Sequence, residues 1–122
     1  MASVPPFRAT VAEIGEQMVL VSVSGELDLY VGPELRAALD AAERLGRGTL
    51  VVDLSGVSFM DSTVCGIIVA EAKRRRREHG ELVLVSNGNR ASHVLEVVGI
   101  DQVVAVHPTL HDAFQKLLLE PV

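Results

Sequence analysis

The run TLVVDL, residues 49–54, constrains the fold more than any other stretch of the chain. Its apolar side chains hardly alternate with polar ones, so a strand built from it must be covered on both faces. Such a strand needs neighbours in a sheet and helices packed over it, and the flanking sequence supplies both. Upstream, MVLVSVSGELDL sets Val19, Val21 and Val23 on one alternating face, and Gly25 interrupts the pattern where the backbone needs a tight path. FRATVAEI, closed by a turn at GEQ, reads as a first edge strand. Between these strands and TLVVDL, the segment PELRAALDAAERL repeats Leu35, Ala38, Leu39, Ala42 and Leu45 at helical spacing. Pro33 suits its first turn and GRG ends it.

Downstream, the pattern predicts a helix from Ser62 to about His79, a strand at ELVLVS, and a loop and short helix in NGNRASHVLEVVGI. A strand at QVVAV and a helix in PTLHDAFQKLLL follow, with Pro108 at the helix start. This alternation predicts an α/β domain, a small mixed sheet flanked by helices, over residues 1–122 without an internal linker or repeat.

Hydrophobic residues are 48% of the sequence and aromatics 3%, which predicts an aliphatic core and leaves no stacking platform for single-stranded nucleic acid. A net charge of -5 disfavours general attraction to a polyanion. One cysteine allows neither an intrachain disulfide nor a CxxC zinc site. MASVPPF lacks a basic segment followed by a secretory apolar region, and no apolar run approaches the roughly 20 residues that span a bilayer. The expectation is a cytoplasmic protein without membrane insertion.

Loops that leave the carboxyl ends of strands carry most sites in sheets of this kind, and the 54–62 loop is one of them. Within FMDSTVCG, Asp61 can cap the following helix, its carboxylate accepting an exposed N–H at the positive end of the dipole. Ser62 then stands on the first turn with its hydroxyl near the surface, and Thr63 offers a second hydroxyl beside it. Asp28, in GELD, either turns the chain into its helix or joins Asp61 in an anionic rim. A phosphate on Ser62 would bring roughly -1.5 to -2 charges to helix N–H groups and to these carboxylates. Attraction and repulsion compete there, so the domain would stay folded while its partner face changed.

Other chemistries fit less well. No G-x-S-x-G elbow surrounds Ser62, and His79, His93, His107 and His111 are scattered over different expected elements, which argues against a hydrolase. His107 and His111 have metal-ligand spacing with Asp112 beside them, but Pro108 sits between the pair and no HExxH is present. Cys65 has the apolar context of a packed thiol. The run KRRRR, residues 73–77, reads as a solvated, dipole-matched end of a helix, with an acidic-partner surface as the other reading. Asp53, at a strand end, lacks the acidic and lysine companions of a receiver phosphoacceptor and is expected to face the polar break after it.

SGELDLYVGPELRAAL, VVDLSGVSFMDST and SHVLEVVGI, taken together, resemble the bacterial anti-sigma factor antagonists of the STAS family over about residues 7–118. The resemblance implies a small sheet flanked by helices and a binding protein without catalysis or cofactor. It implies that Ser62, the serine after Asp in the FMDS segment, is phosphorylated by a partner that is both an ATP-dependent serine kinase and an anti-sigma factor. Unmodified, such an antagonist binds the anti-sigma factor and frees the sigma factor; phosphorylation weakens binding, and a separate serine phosphatase restores it. By the same resemblance Asp28, Asp61, Ser62, Thr63 and Val64 form the partner-binding surface, and a homodimer is left open. The chain departs from the family pattern where Val64 and Cys65 stand in place of Gly and Leu, a change that bears on partner selectivity but keeps the acceptor hydroxyl. The alternative is a STAS interaction module without serine phosphorylation, within a stress-signalling assembly.

Overall fold

The computed structural model describes residues 6–119. Strands β1 (Arg8–Ile14) and β2 (Met18–Leu27) are followed by a 3-10 turn at Leu29–Val31, helix α1 (Gly32–Arg44) and strand β3 (Thr49–Met60). Helix α2 (Val64–Arg77), strand β4 (Glu81–Val85), helix α3 (Arg90–Val98), strand β5 (Ala105–His107) and helix α4 (Leu110–Leu119) complete the order. The sheet runs β1-β2-β3-β4-β5, antiparallel between β1 and β2 and parallel thereafter. Parallel neighbours cannot be joined by a tight turn, so each step needs a crossover, and α1, α2 and α3 supply them.

The expected mixed α/β architecture is therefore present, and its two faces are covered unequally. Val19, Val21 and Val23 of β2, with Leu50, Val52 and Leu54 of β3, pack under α1, α2 and α3. The opposite face is narrower: Val51, Val83 and Val85 meet Ala113, Leu110, Phe114 and Leu117 of α4. Full burial of each such aliphatic side chain is worth about 1.5–3 kcal/mol, and the core contains few other residue types.

Several boundaries differ from the sequence expectation. β3 does not stop at Leu54 but runs to Met60, because Val57 and Met60 bury their side chains while the backbone stays paired to β2 through two register shifts. β5 is only Ala105–His107, since Gln102 belongs to a 3-10 turn. α4 starts after Thr109, whose hydroxyl accepts the Asp112 N–H at 3.0 Å, so Pro108 precedes the cap instead of opening the helix. His107 and His111 consequently lie on a strand and a helix rather than on one helical face.

The KRRRR run is the larger correction. Arg75 is 3% exposed and Glu71 5%, and Arg74 is half-buried, so only Lys73, Arg76 and Arg77 of the run are exposed as a solvated helix end would have them. Arg75 Nε pairs with Glu71 at 3.4 Å while its Nη1 donates to the Arg47 carbonyl at 2.6 Å. Arg74 reaches across to α1, contacting Asp40 at 3.1 Å and Glu43 at 2.6 Å, and also pairs with Glu71. Arg76 donates to the Val103 carbonyl at 3.0 Å. The helix period explains this use: four consecutive arginines point around the whole circumference, so some must face α1 and the loop before β3.

Removing Glu71 would leave buried guanidinium charge without its carboxylate, a change that typically costs about 3–5 kcal/mol. Glu71→Ala should lower the urea midpoint accordingly with an unchanged slope, whereas Arg77→Ala, on an exposed side chain, should stay within about 0.5 kcal/mol of the native protein. Glu43 supplies a pH signature. Burial, followed by the adjacent Glu78, raises its pKa above the ordinary 4.5 despite the opposing pull of Arg74. The folded state thus holds this proton more tightly than the unfolded chain. The resulting stability is fully present below pH 4.5 and is lost as pH rises through the raised folded value. Denaturation across that window should show the loss in the native protein, and Glu43→Gln should remove it.

Candidate functional site

β2 and β3 stay paired to their last residues, Leu27 opposite Met60, so the residues that follow, Asp28 and Asp61, leave the sheet side by side. The Asp61 N–H donates to the Leu27 carbonyl at 2.9 Å and locks the two strand ends together. Gly25 makes this path feasible: its φ of +90° suits glycine, and a Cβ there would collide with the Pro6 carbonyl.

Both aspartates hold the turns that lead into the helices, Asp28 as the cap of the 3-10 segment and Asp61 one turn ahead of α2. Asp28 accepts the Tyr30 N–H at 3.0 Å and turns the chain through the 3-10 segment into α1. Asp61 Oδ1 accepts both the Thr63 N–H and the Thr63 hydroxyl, each at 2.9 Å. Those two bonds hold the Asp61 pKa below its ordinary value. Backbone bonds from Val64 N–H to Asp61 O, Cys65 N–H to Ser62 O, and Gly66 N–H to Thr63 O wind a tight turn into the helix. α2 proper begins at Val64, two residues after the expected start, because this first turn closes i to i+3.

The geometry separates two hydroxyls that local chemistry leaves alike, although the family resemblance favours Ser62 over Thr63 as the acceptor. The Thr63 hydroxyl is committed to Asp61, while Ser62 is exposed and its side chain makes no hydrogen bond among the described residues. Val64 and Cys65 point inward at 1% and 2% exposure. Burial, then the Asp61 charge, pushes the Cys65 thiol pKa up, which suits packing rather than thiolate chemistry. Gly66 is exposed and has open space above it.

Beside Ser62, a groove of about 500 Å³ runs between the starts of α1 and α2, lined by Leu29, Pro33, Arg36, Thr63, Val64 and Ile67. Leu29 is 65% exposed and Tyr30 86%, an apolar pair on the surface that no core-burial pattern accounts for. No apolar period singles out either residue, since LY directly after GELD falls where neither a helical nor a strand pattern would place it.

Asn89 was also missed. Its side chain accepts the Ser92 N–H at 3.3 Å to cap α3, and its Nδ2 donates to the Leu54 and Val57 carbonyls at 3.0 and 2.9 Å, holding β3 just upstream of the site. The asparagine in NGN followed by Ser92 signals the cap, but its reach to β3 is tertiary. Asp53 accepts the Ser55 N–H at 2.9 Å, serving the polar break after it. Among the described residues no histidine bonds to Ser62, no cluster of His, Cys, Asp and Glu could hold a metal, and no helix is long and apolar enough to cross a membrane.

Comparison with known proteins places this geometry in a family. Residues 9–113 match the STAS domain model. An anti-sigma-B factor antagonist of Listeria monocytogenes is 33% identical over 86 residues, covering 70% of this chain and 75% of that protein. The Staphylococcus aureus protein of the same name is 33% identical over 87 residues, covering 71% and 81%. Among solved structures, an anti-sigma factor antagonist from Mycobacterium paratuberculosis superposes with a TM-score of 0.84 at 29% identity, covering 91% of this chain and 93% of its own. The anti-sigma factor antagonist SpoIIAA in its unphosphorylated form shares the fold, with a TM-score of 0.77 at 18% identity and coverage of 94% and 100%. With a family match over most of its length and relatives that are anti-sigma factor antagonists, this chain belongs to the STAS domain family.

Proposed function

We propose that the chain is an anti-sigma factor antagonist that binds an anti-sigma factor serine kinase when unmodified and is switched off by phosphorylation of Ser62. The observation that carries this reading is the exposed, unbonded Ser62 side chain next to a threonine whose hydroxyl is already used. Asp28, Asp61, Ser62, Thr63 and Val64 are the proposed contact residues, with Val64 acting from beneath as part of the groove floor. The chain supplies only an acceptor: the kinase moves the γ-phosphoryl group of ATP to Ser62 Oγ, releasing ADP and the hydroxyl proton. A separate serine phosphatase reverses the modification, and the exchange takes place in the cytoplasm without contact to DNA.

Physical chemistry supports the direction of the switch. A phosphate of roughly -1.5 to -2 charges would stand near the Asp61 and Asp28 carboxylates and beside exposed Leu29 and Tyr30. A partner closing over that face would bury the dianion against like charge and apolar surface, which weakens the contact. The fold need not change, because Ser62 supports the turn through its backbone carbonyl and not through its hydroxyl. SpoIIAA, which has this fold, is known in a phosphorylated form as well, with a TM-score of 0.69 at 20% identity to this chain.

The purified chain incubated with ATP and the anti-sigma kinases of its own cell should gain one phosphate, located on Ser62 by peptide mass spectrometry. Ser62→Ala should abolish it, Thr63→Val should retain it, and the modified protein should bind its kinase at least about tenfold more weakly. Tight binding without any modification would favour the interaction module that works without this switch.

A further inference from the structure

We propose that the groove between the starts of α1 and α2 anchors the partner, taking one aliphatic side chain of an amphipathic segment. That segment would carry a cation over the Asp28–Asp61 end of the groove and a carboxylate over Arg36. This rests on the reading of the Ser62 face as the partner-binding surface and adds to it the residues Leu29, Pro33, Arg36 and Ile67.

The walls are apolar: Leu29 and Pro33 come from the entry to α1, and Val64 and Ile67 from the first turns of α2. Gly32 lets the two helices approach, since a Cβ there would stand 3.3 Å from Ile67 Cδ1. The groove is therefore shaped for a side chain of limited width. Leu29, at 65% exposure, holds apolar surface in water that an occupant would cover.

Charge fixes which way the occupant lies. α1 and α2 both start where parallel strands end and both return across the same sheet face, so they run side by side in the same direction. At the helix starts stand Asp28 and Asp61, each with Oδ1 occupied by a backbone N–H and Oδ2 without a partner among the described residues. One helical turn into α1, and so farther from the two aspartates, exposed Arg36 lines the groove and has no ion-pair partner among the described residues. A segment with the opposite order of charges is favoured in one orientation and repelled in the other, which gives specificity beyond the apolar contact.

The test uses the whole unmodified chain titrated with each purified anti-sigma factor of its own cell, by calorimetry or surface plasmon resonance. Leu29→Ser and Arg36→Glu alter exposed side chains and should leave the thermal midpoint unchanged. Each should weaken the complex at least about tenfold, with Leu29→Ser acting mainly on dissociation and Arg36→Glu making the association rate less favourable at low salt. If Ser62→Asp weakens the complex while Leu29→Ser and Arg36→Glu leave it intact, the Ser62 face is the interface and the groove proposal falls. If no anti-sigma factor binds the native chain, the functional reading falls and takes this inference with it. Concentration-dependent self-association that Leu29→Ser abolishes, with kinase binding unaffected, would assign the groove to a second copy and overturn the proposal.

Discussion

The hydrogen bond from the Asp61 N–H to the Leu27 carbonyl is the contact on which the candidate site depends. It is the last rung of the pairing between β2 and β3, and it brings together two chain segments more than thirty residues apart in sequence. From that junction Asp28 turns one chain into α1 and Asp61 turns the other into α2, each spending a carboxylate oxygen on the turn. Ser62 is held by what surrounds it: its carbonyl is inside the turn and its side chain is outside. Conformational entropy that would otherwise be lost when a partner docks has already been lost in folding, which favours affinity through preorganisation.

The architecture was legible in the sequence wherever burial leaves a simple period. TLVVDL lacks alternation because β3 lies in the middle of the sheet, with α1, α2 and α3 above it and α4 below. β2 alternates because α4 sits chiefly over β4 and β5 and reaches β2 only near Leu20, leaving Ser22 and Ser24 only partly covered. The end of β3 was not legible. SGVSFM has the serines and glycine of a loop, and only its pairing with a bulged β2 reveals a strand. Local composition cannot report that kind of tertiary support.

The candidate site shows the same division. Asp61 accepting an exposed N–H follows from local chemistry, and the structure has that bond, though in the turn before α2, whose own cap position, Thr63, makes no side-chain cap bond. The distinction between Ser62 and Thr63 does not follow from local chemistry, since both are small hydroxyl residues on one turn; it arises from a rotamer that delivers one hydroxyl to Asp61. The arginine run misled for a related reason. Consecutive charges suggest a surface, yet α2 lies against α1 near its end, and carboxylates at Asp40, Glu43 and Glu71 make burial of part of the run tolerable. Arg74 and Arg75 consequently spend their charge on ion pairs and a carbonyl within the molecule.

Arg74 and Arg75 also have a mechanical role. Arg74 fastens the far halves of α1 and α2 through Asp40 and Glu43, and Arg75 ties α2 to the loop after α1 at the Arg47 carbonyl, while the proposed groove opens between the near halves of the same two helices. A pair of parallel rods clamped at one end keeps its spacing at the other, so the width of the groove is set partly by ion pairs remote from it. Substitutions at Asp40 or Arg74 would be classed by their location as stability variants. Their effect would nevertheless extend along the helices to the proposed partner face, where a change in spacing alters fit without touching a contact residue.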